Sequence, residues 1–211
     1  MKKLLITLLA MTMILSCTGC GNKKEKYPYE HIGIYDTKTQ QYIDIGDSKN
    51  KVDKILGLCS ENEYGSYDYD DILSIRFDDD NKVEHISVYF DWFPDEGENE
   101  RYTLADGTNY NSTVTEFINK YNHVYEGDRF SDDDHAISVI LQNKNNKIVM
   151  PTIDDVKNST QMTTWEETEN IDDMYIISID YFAYDNLSSF TIDKVTYPLF
   201  EDWDNFTEIE K

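Results

Sequence analysis

The 211-residue sequence is poor in basic residues and in long apolar runs. It has 19 Lys and Arg against 42 Asp and Glu, which gives a formal net charge of −23. Nucleic-acid binding requires Lys and Arg to neutralise phosphates, so this charge argues against a nucleic-acid partner. It also disfavours adsorption of the folded body to anionic lipid. No apolar run reaches the roughly 18 residues that a membrane-spanning helix needs.

Cysteine is scarce as well, with three residues in the chain. Since only Cys59 lies in the region predicted to fold, a disulfide framework is excluded. Cys59 follows Leu56-Gly57-Leu58 and is expected to be a buried, small apolar residue.

The sequence also lacks a Gly-Xaa-Ser-Xaa-Gly elbow, a Gly-rich phosphate loop and a His-Glu-Xaa-Xaa-His motif. We therefore predict no catalytic residues, no cofactor and a non-enzymatic function. A hydrolase is the less favoured alternative, because any two of the many acids could act as a pair.

What the sequence does contain begins with a targeting signal. Met1-Lys2-Lys3 is a charged start, and the apolar run Leu4 to Leu15 is too short to span ~30 Å of hydrocarbon. The segment Ser16-Cys17-Thr18-Gly19-Cys20 follows at once. This order of charged, apolar and small residues is typical of a signal peptide.

An apolar run that ends in a small residue and then Cys resembles the lipobox of bacterial lipoproteins. In that family the Cys becomes the first mature residue and carries acyl chains such as palmitate. The resemblance implies a signal peptide over 1–16 with lipid on Cys17, or over 1–19 with lipid on Cys20. Several acyl chains suffice for stable anchoring, so the implied location is the outer face of the bacterial cytoplasmic membrane. Residues 17–30 would form the lipidated N-terminus and a flexible tether.

Two short helices are predicted from apolar residues at helical spacing. Val52, Ile55 and Leu56 form one stripe, with Asp47 or Ser48 as N-cap and Gly57 at the C-terminal end. A second stripe has a capping box at its start; its members are Val114, Phe117, Ile118 and Tyr121, and its box spans Thr113 to Glu116. Each helix follows a short extended stretch and a Gly/Asp turn.

Alternating apolar residues after each helix predict antiparallel strands. The segment 73–90, turning at 78–82, is expected to form a hairpin. The segment 137–150 is expected to form another, turning at 143–147. Further strands are predicted at 175–184 and 190–200. The polar segment 151–173 is expected to be an insertion or mobile loop.

This repeated order of helix and meander resembles the beta-lactamase-inhibitor-protein-like fold and small envelope lipoproteins that use one such unit. The resemblance is carried by Ile45-Gly46-Asp47-Ser48, Val52, Ile55-Leu56-Gly57, Ser74-Ile75-Arg76-Phe77 and Lys82-Val83. It implies an α+β protein with tandem helix-plus-antiparallel-meander units, the first over 31–100 and the second over 101–211. It also implies a binding module that presents one sheet face to a protein partner.

Acidic clusters and histidines are the candidate metal ligands of the sequence. None of the acidic runs has the Gly and Glu of an EF-hand loop, so solvated turns are the favoured interpretation. Asp78 and Asp80 are weak candidates for Ca²⁺. The four histidines lack zinc spacing and are expected to be structural or at the surface; they are His31, His85, His123 and His135.

Aromatic residues set among acids are the more informative candidates. Trp92 and Phe93 lie in one such loop, and Trp203 and Phe206 lie in another near the C-terminus. Trp and Tyr are favoured anchors of protein interfaces, although these rings could also cover the ends of the core. The sequence thus predicts a lipid-anchored binding protein that engages an envelope or extracellular protein through a sheet face or aromatic loops. A glycan- or Ca²⁺-binding lipoprotein is the alternative.

Overall fold

The computed structural model describes residues 27–90, 99–128, 135–145, 147–152, 174–181, 187–195 and 207–210. In these ranges the chain is mostly β-sheet with two short helices, which confirms an α+β class in the broad sense. The elements in chain order are β1 (Gly33–Asp36), β2 (Gln41–Asp44), α1 (Lys49–Leu56), β3 (Tyr67–Asp68), β4 (Leu73–Phe77), β5 (Val83–Tyr89), β6 (Tyr102–Leu104), α2 (Val114–Lys120), β7 (Tyr125–Asp128), β8 (His135–Asn143), β9 (Ile148–Val149), β10 (Met174–Tyr181), β11 (Leu187–Lys194) and β12 (Thr207–Glu208).

The described strands form two antiparallel sheets. The small sheet has the order β2-β1-β6, and the large sheet has the order β12-β7-β8-β10-β11-β5-β4-β3, with β9 paired to β8. Strands from before and after residue 100 meet in both sheets, because β1 pairs with β6 and β5 pairs with β11.

One face of the large sheet carries the main core. Cross-strand rows of Ile, Val, Leu and Phe cover this face from β4 to β8, and the register aligns Ile75, Ile86, Ile192, Ile177 and Val139. All five are buried in the same cluster as residues of the small sheet and of the helices. Since side chains alternate along a strand, the intervening residues lie on the opposite face, here called the outer face.

Helix α1 forms as its sequence predicts. Ser48 is the N-cap and its Oγ accepts a hydrogen bond from the N–H of Lys51, while Val52 and Ile55 are buried. Gly57 follows the helix with a φ of 102°, a left-handed value that an L side chain disfavours. Its N–H still donates to the carbonyl of Asp53, and the helix ends here because the φ and ψ of Gly57 are not helical.

Helix α2 begins with the predicted capping box. Thr113 Oγ1 accepts from the N–H of Glu116, and the Glu116 carboxylate accepts from the N–H of Thr113. Val114 and Phe117 are buried against the main core. Both helices are short, so tertiary packing of these apolar faces supplies most of their stability.

The predicted hairpins are confirmed with small corrections. The 78–82 turn joins β4 and β5, and the shift in register between Arg76 and Phe77 places Val83 in the core. The strand expected at 175–184 is described over Met174–Tyr181, and the strand expected at 190–200 is described over Leu187–Lys194; residues 182–184 and 196–200 of these predictions lie outside the described residues. The predicted insertion at 151–173 lies almost entirely outside the described residues.

The first described residue, Tyr27, is held in place by burial and hydrogen bonds. Tyr27 is buried, and its N–H donates to the carbonyl of Ile148 while its hydroxyl donates to the carbonyl of His31. Its ring lies parallel to that of Tyr121 at a centroid distance of 6.3 Å. The preceding segment, which contains Cys17 and Cys20, lies outside the described residues.

Candidate functional site

The aromatic candidates from the sequence, Trp92, Phe93, Trp203 and Phe206, all lie outside the described residues. The large apolar side chains that stand exposed in the described ranges are Leu58, Tyr64 and Tyr89. Two of them belong to residues 57–66, here called the edge loop, which connects α1 to β3. Strand β3 is one edge of the large sheet as described.

Hydrogen bonds within the edge loop hold it in one conformation. The side-chain carbonyl of Asn62 accepts from the backbone N–H groups of Tyr64 and Ser66, and the Asn62 N–H donates to the carbonyl of Ser66. Gly65 has a φ of 78°, which is the left-handed conformation that this turn requires. The loop is therefore a structured turn and not a random excursion of the chain.

The edge loop is also fastened to the sheet. Cys59 Sγ lies 3.1 Å from the carbonyl oxygen of Asp68, and Asn62 Nδ2 donates to the Asp68 carboxylate. Cys59 is half-buried, so the expectation of full burial is wrong. Its thiol contributes a contact between loop and strand in place of core packing.

Two apolar side chains project from this ordered loop into solvent. Leu58 is 92% exposed and Tyr64 is 81% exposed. Single exposed apolar residues are common on protein surfaces and need no explanation. Two large exposed apolar side chains on one hydrogen-bonded loop are less usual. Ordering a loop costs conformational entropy, and a loop that only connects two elements does not need to be ordered.

Beneath the edge loop, a cluster of polar and aromatic side chains joins α1 to β3 and β4. Lys49 Nζ donates to both carboxylate oxygens of Asp53 and lies 4.6 Å from the centre of the Tyr67 ring. Tyr69 donates to Asp53, and burial together with this hydrogen bond raises the pKa of Tyr69. These contacts join α1 to the chain that follows the edge loop.

The outer face is open near this edge of the sheet. Arg76 is exposed and its Nε donates to Glu84, while Ser74 donates to Asp68. Tyr89 is 57% exposed at the end of β5. The edge loop therefore adjoins an accessible polar stretch of the outer face on β3, β4 and β5.

Farther across the sheet the outer face is buried. A row of small hydroxyl residues crosses five strands: Ser74, Ser87, Thr191, Ser178 and Ser138. The Oγ atoms of Ser138 and Ser178 are 2.8 Å apart, whereas the buried hydroxyls of Ser87 and Thr191 have no hydrogen-bond partner among the described residues. In the described part of the sheet, the outer face is therefore accessible at Asp68 and Arg76 and at Tyr89 at the end of β5, whereas the middle of β5 is buried at Ser87.

The weak Ca²⁺ candidates have a structural role. Asp78 Oδ1 accepts from the N–H groups of Asp80 and Lys82 and so shapes the turn between β4 and β5. Asp80 is exposed on that turn. Within the part of the chain that the structure describes, no three His, Cys, Asp or Glu side chains are placed to hold a metal ion.

A buried ion pair links the small sheet to the segment before β4. Asp36 is fully buried and accepts from Arg101, Thr39 and the N–H of Lys38. Burial acts to raise the pKa of Asp36, but these hydrogen bonds, led by that from Arg101, lower it overall. Arg101 also donates to Asp70, so one guanidinium joins two separate chain segments.

Each histidine whose side chain is described pairs with a carboxylate. His31 Nδ1 lies 2.8 Å from Asp44, His85 Nδ1 lies 2.5 Å from Asp193, and His123 Nδ1 lies 2.7 Å from Glu208. Each pair connects segments distant in sequence. The structural role expected for these three histidines agrees with this geometry, while the side chain of His135 lies outside the description.

Sequence reasoning did not select the edge loop. A local signal was present, because Leu58 and Tyr64 stand in a stretch with turn residues and acids and no apolar periodicity. That signal alone does not separate an exposed apolar residue from one that folds back onto the core. Only the hydrogen bonds of Asn62 and Cys59 settle the difference.

Comparisons with models of protein families, with curated proteins and with solved structures find no match to this chain. Among the described helices, none is both long enough and apolar enough to cross a membrane.

Proposed function

We propose that this chain is a lipid-anchored, non-enzymatic binding protein on the outer face of the bacterial cytoplasmic membrane. It engages an envelope or extracellular protein through the edge loop and the neighbouring outer face of β3 to β5. The observation that supports this most is the exposure of Leu58 and Tyr64 on a loop that hydrogen bonds hold in place. Tyr is one of the side chains most favoured as an interface anchor, and an adjoining exposed apolar residue adds contact area.

The proposed anchor rests on the residues of the N-terminal segment. Cys17, or Cys20 in the alternative, carries the lipid after cleavage of the signal peptide. The buried Tyr27 supports this arrangement, because it gives the tether a firm attachment to the body. Several acyl chains on one Cys are sufficient for stable membrane attachment.

The anchor is tested by replacing Cys17 and Cys20 with Ser, singly and together, and following the protein in membrane fractions and by labelling with palmitate. The single variant that removes the true acceptor should release the protein and lose the label. The other single variant is the matched control and should stay attached. A double variant that remains on membranes would refute the lipoprotein proposal.

We also propose that the fold consists of tandem helix-plus-meander units over 31–100 and 101–211. In each half a short strand leads through a turn to a helix with a side-chain N-cap, Ser48 in one and Thr113 in the other. Antiparallel strands follow each helix. These parallels are in keeping with the resemblance to the beta-lactamase-inhibitor-protein-like fold.

The binding function is tested with the full chain carrying Cys17→Ser and Cys20→Ser, immobilised and exposed to envelope extract. We expect a saturable protein partner. Loss of the partner with Leu58→Ala and Tyr64→Ala would favour the edge loop, and loss with Trp92→Ala and Trp203→Ala would favour the aromatic loops. Absence of any protein partner at low and moderate salt would contradict the proposal and favour the glycan- or Ca²⁺-binding alternative.

A further inference from the structure

The charged residues of the chain segment that carries Leu58 and Tyr64 are of one sign. Residues 57–72 contain five acids and no Lys or Arg; the acids are Glu61, Glu63, Asp68, Asp70 and Asp71. Asp70 is engaged by Arg101, but the other four are exposed. Leu58 and Tyr64 thus belong to an exposed acidic segment of the chain, here called the acidic rim.

Several classes of occupant fit this rim poorly. An anionic lipid surface would be repelled by it, and so would nucleic acid. A second copy of the same loop would bring like charges together, on a chain whose formal net charge is −23. Like charges placed opposite each other across an interface cost several kcal/mol, which opposes self-association through this surface.

We propose that the edge loop docks onto a protein with a basic surface, whose apolar cleft receives Leu58 and Tyr64 and whose Lys or Arg side chains face Glu61 and Glu63. This inference rests on the proposed binding function and names the class of partner for that site. Electrostatic complementarity of this kind speeds association and selects among partners more than it adds affinity.

The backbone of the edge loop is already ordered before any partner binds. Asn62 and Gly65 already hold the backbone in its turn, and Cys59 and Asn62 hold the turn against Asp68. Little backbone entropy remains to be lost on binding, so apolar contacts of Leu58 and Tyr64 contribute more of their energy to affinity. Removal of either side chain should weaken binding about 10-fold or more, as for central interface anchors.

The test uses the full lipid-anchored chain in its native cells, with a photoactivatable residue at one position. Tyr64→p-benzoylphenylalanine reports on the edge loop and Tyr89→p-benzoylphenylalanine reports on the outer face. Lys54→p-benzoylphenylalanine, exposed on α1, is the matched control. Mass spectrometry identifies each adduct and so gives the charge of the partner.

We expect a discrete protein adduct from position 64 and none from position 54. Leu58→Ala should reduce the adduct about 10-fold, without lowering the thermal stability of the chain because Leu58 is 92% exposed. The pair Glu61→Gln and Glu63→Gln should reduce it several-fold at low salt and change it less at high salt. The partner should carry a basic surface.

Other outcomes separate this inference from the function on which it rests. An adduct from position 89 without one from position 64 would overturn the role of the edge loop and leave a binding protein. An adduct with lipid, with another copy of this chain or with an acidic protein would overturn the partner class. The absence of adducts from every position would contradict the binding function as well.

Discussion

The guanidinium of Arg101 lies across the buried carboxylate of Asp36, with Nε 3.1 Å from Oδ1 and Nη2 3.2 Å from Oδ2. Asp36 ends β1, whereas Arg101 immediately precedes β6. The same guanidinium reaches Asp70 with Nη1 at 2.7 Å, and Tyr102 donates to that second carboxylate. This network ties the small sheet to the chain that enters β4.

We predict that Asp36→Asn destabilises the protein by about 3 kcal/mol at pH 7, because it breaks a buried pair and leaves polar groups with weaker partners. Since the pKa of Asp36 is lowered in the folded state, its stabilising effect is full above its unfolded pKa of about 4. This stabilising effect of the Asp36 carboxylate is lost as the pH falls through the pKa that Asp36 has in the folded state. The difference between variant and parent should therefore shrink below about pH 4.

Urea unfolding at several pH values measures this difference. Asp80→Asn is the matched control, because Asp80 is exposed on a turn and should change stability by less than about 0.5 kcal/mol. A difference for Asp36→Asn that stays constant from pH 7 to pH 3 would show that the carboxylate charge does not carry the effect.

The hydroxyls of Ser87 and Thr191 offer a second prediction, since both are buried and neither has a hydrogen-bond partner in the described part of the chain. Removing a polar atom that has no partner removes its desolvation cost. Ser87→Ala and Thr191→Val should therefore leave thermal stability unchanged or raise it. Ser138→Ala is the comparison, because its hydroxyl pairs with Ser178 and its loss should cost about 1 kcal/mol. Equal destabilisation by all three changes would contradict this account.

Gly33 supplies a third prediction through its close approach to β2. A Cβ at this position would lie 2.0 Å from the carbonyl oxygen of Ile43 and 2.7 Å from the Cα of Asp44. Gly33→Ala should therefore shift backbone atoms and cost about 3 kcal/mol. Gly46→Ala meets no atom within 4 Å and should cost less, about 1–2 kcal/mol from its φ of 87° alone. We expect Gly33→Ala to have the lowest melting temperature, Gly46→Ala an intermediate one and the parent protein the highest.

The capping box of α2 is the basis of a fourth prediction. Thr113→Ala removes the acceptor for the N–H of Glu116 and should cost about 1 kcal/mol. Glu116→Gln keeps an acceptor for the N–H of Thr113, so it should cost less than Glu116→Ala. Chemical denaturation gives the comparison. Equal losses for Glu116→Gln and Glu116→Ala would mean that the reciprocal hydrogen bond contributes nothing.

Local patterns predicted much of this fold because their causes are local. Val52 and Ile55 share a helix face by spacing alone, and Thr113 with Glu116 closes a helix start within four residues. The turn at 78–82 follows from Asp78, whose carboxylate accepts backbone N–H groups two and four residues ahead. Strand β1 was not predicted, because four residues carry too little alternation to be distinguished from a loop.

The candidate site was predicted less well, and the edge loop shows why. Leucine is a residue type that is usually found in the core. The exposure of Leu58 depends on where α1 ends and on how Asn62 holds the turn against Asp68. For Asp78 the sequence likewise did not show that one carboxylate oxygen accepts hydrogen bonds from backbone donors of its own turn.

The sequence by itself determined the acidic character, the two helices with their caps and the hairpins, and it predicts a signal peptide in a segment outside the described residues. All of these depend on composition or on residues close together in the chain. Only the tertiary structure decided that β5 pairs with β11, that Arg101 joins Asp36 to Asp70, and which part of the outer face is buried. These are contacts between residues far apart in sequence, and their formation depends on the packing of the whole core, which no local pattern encodes.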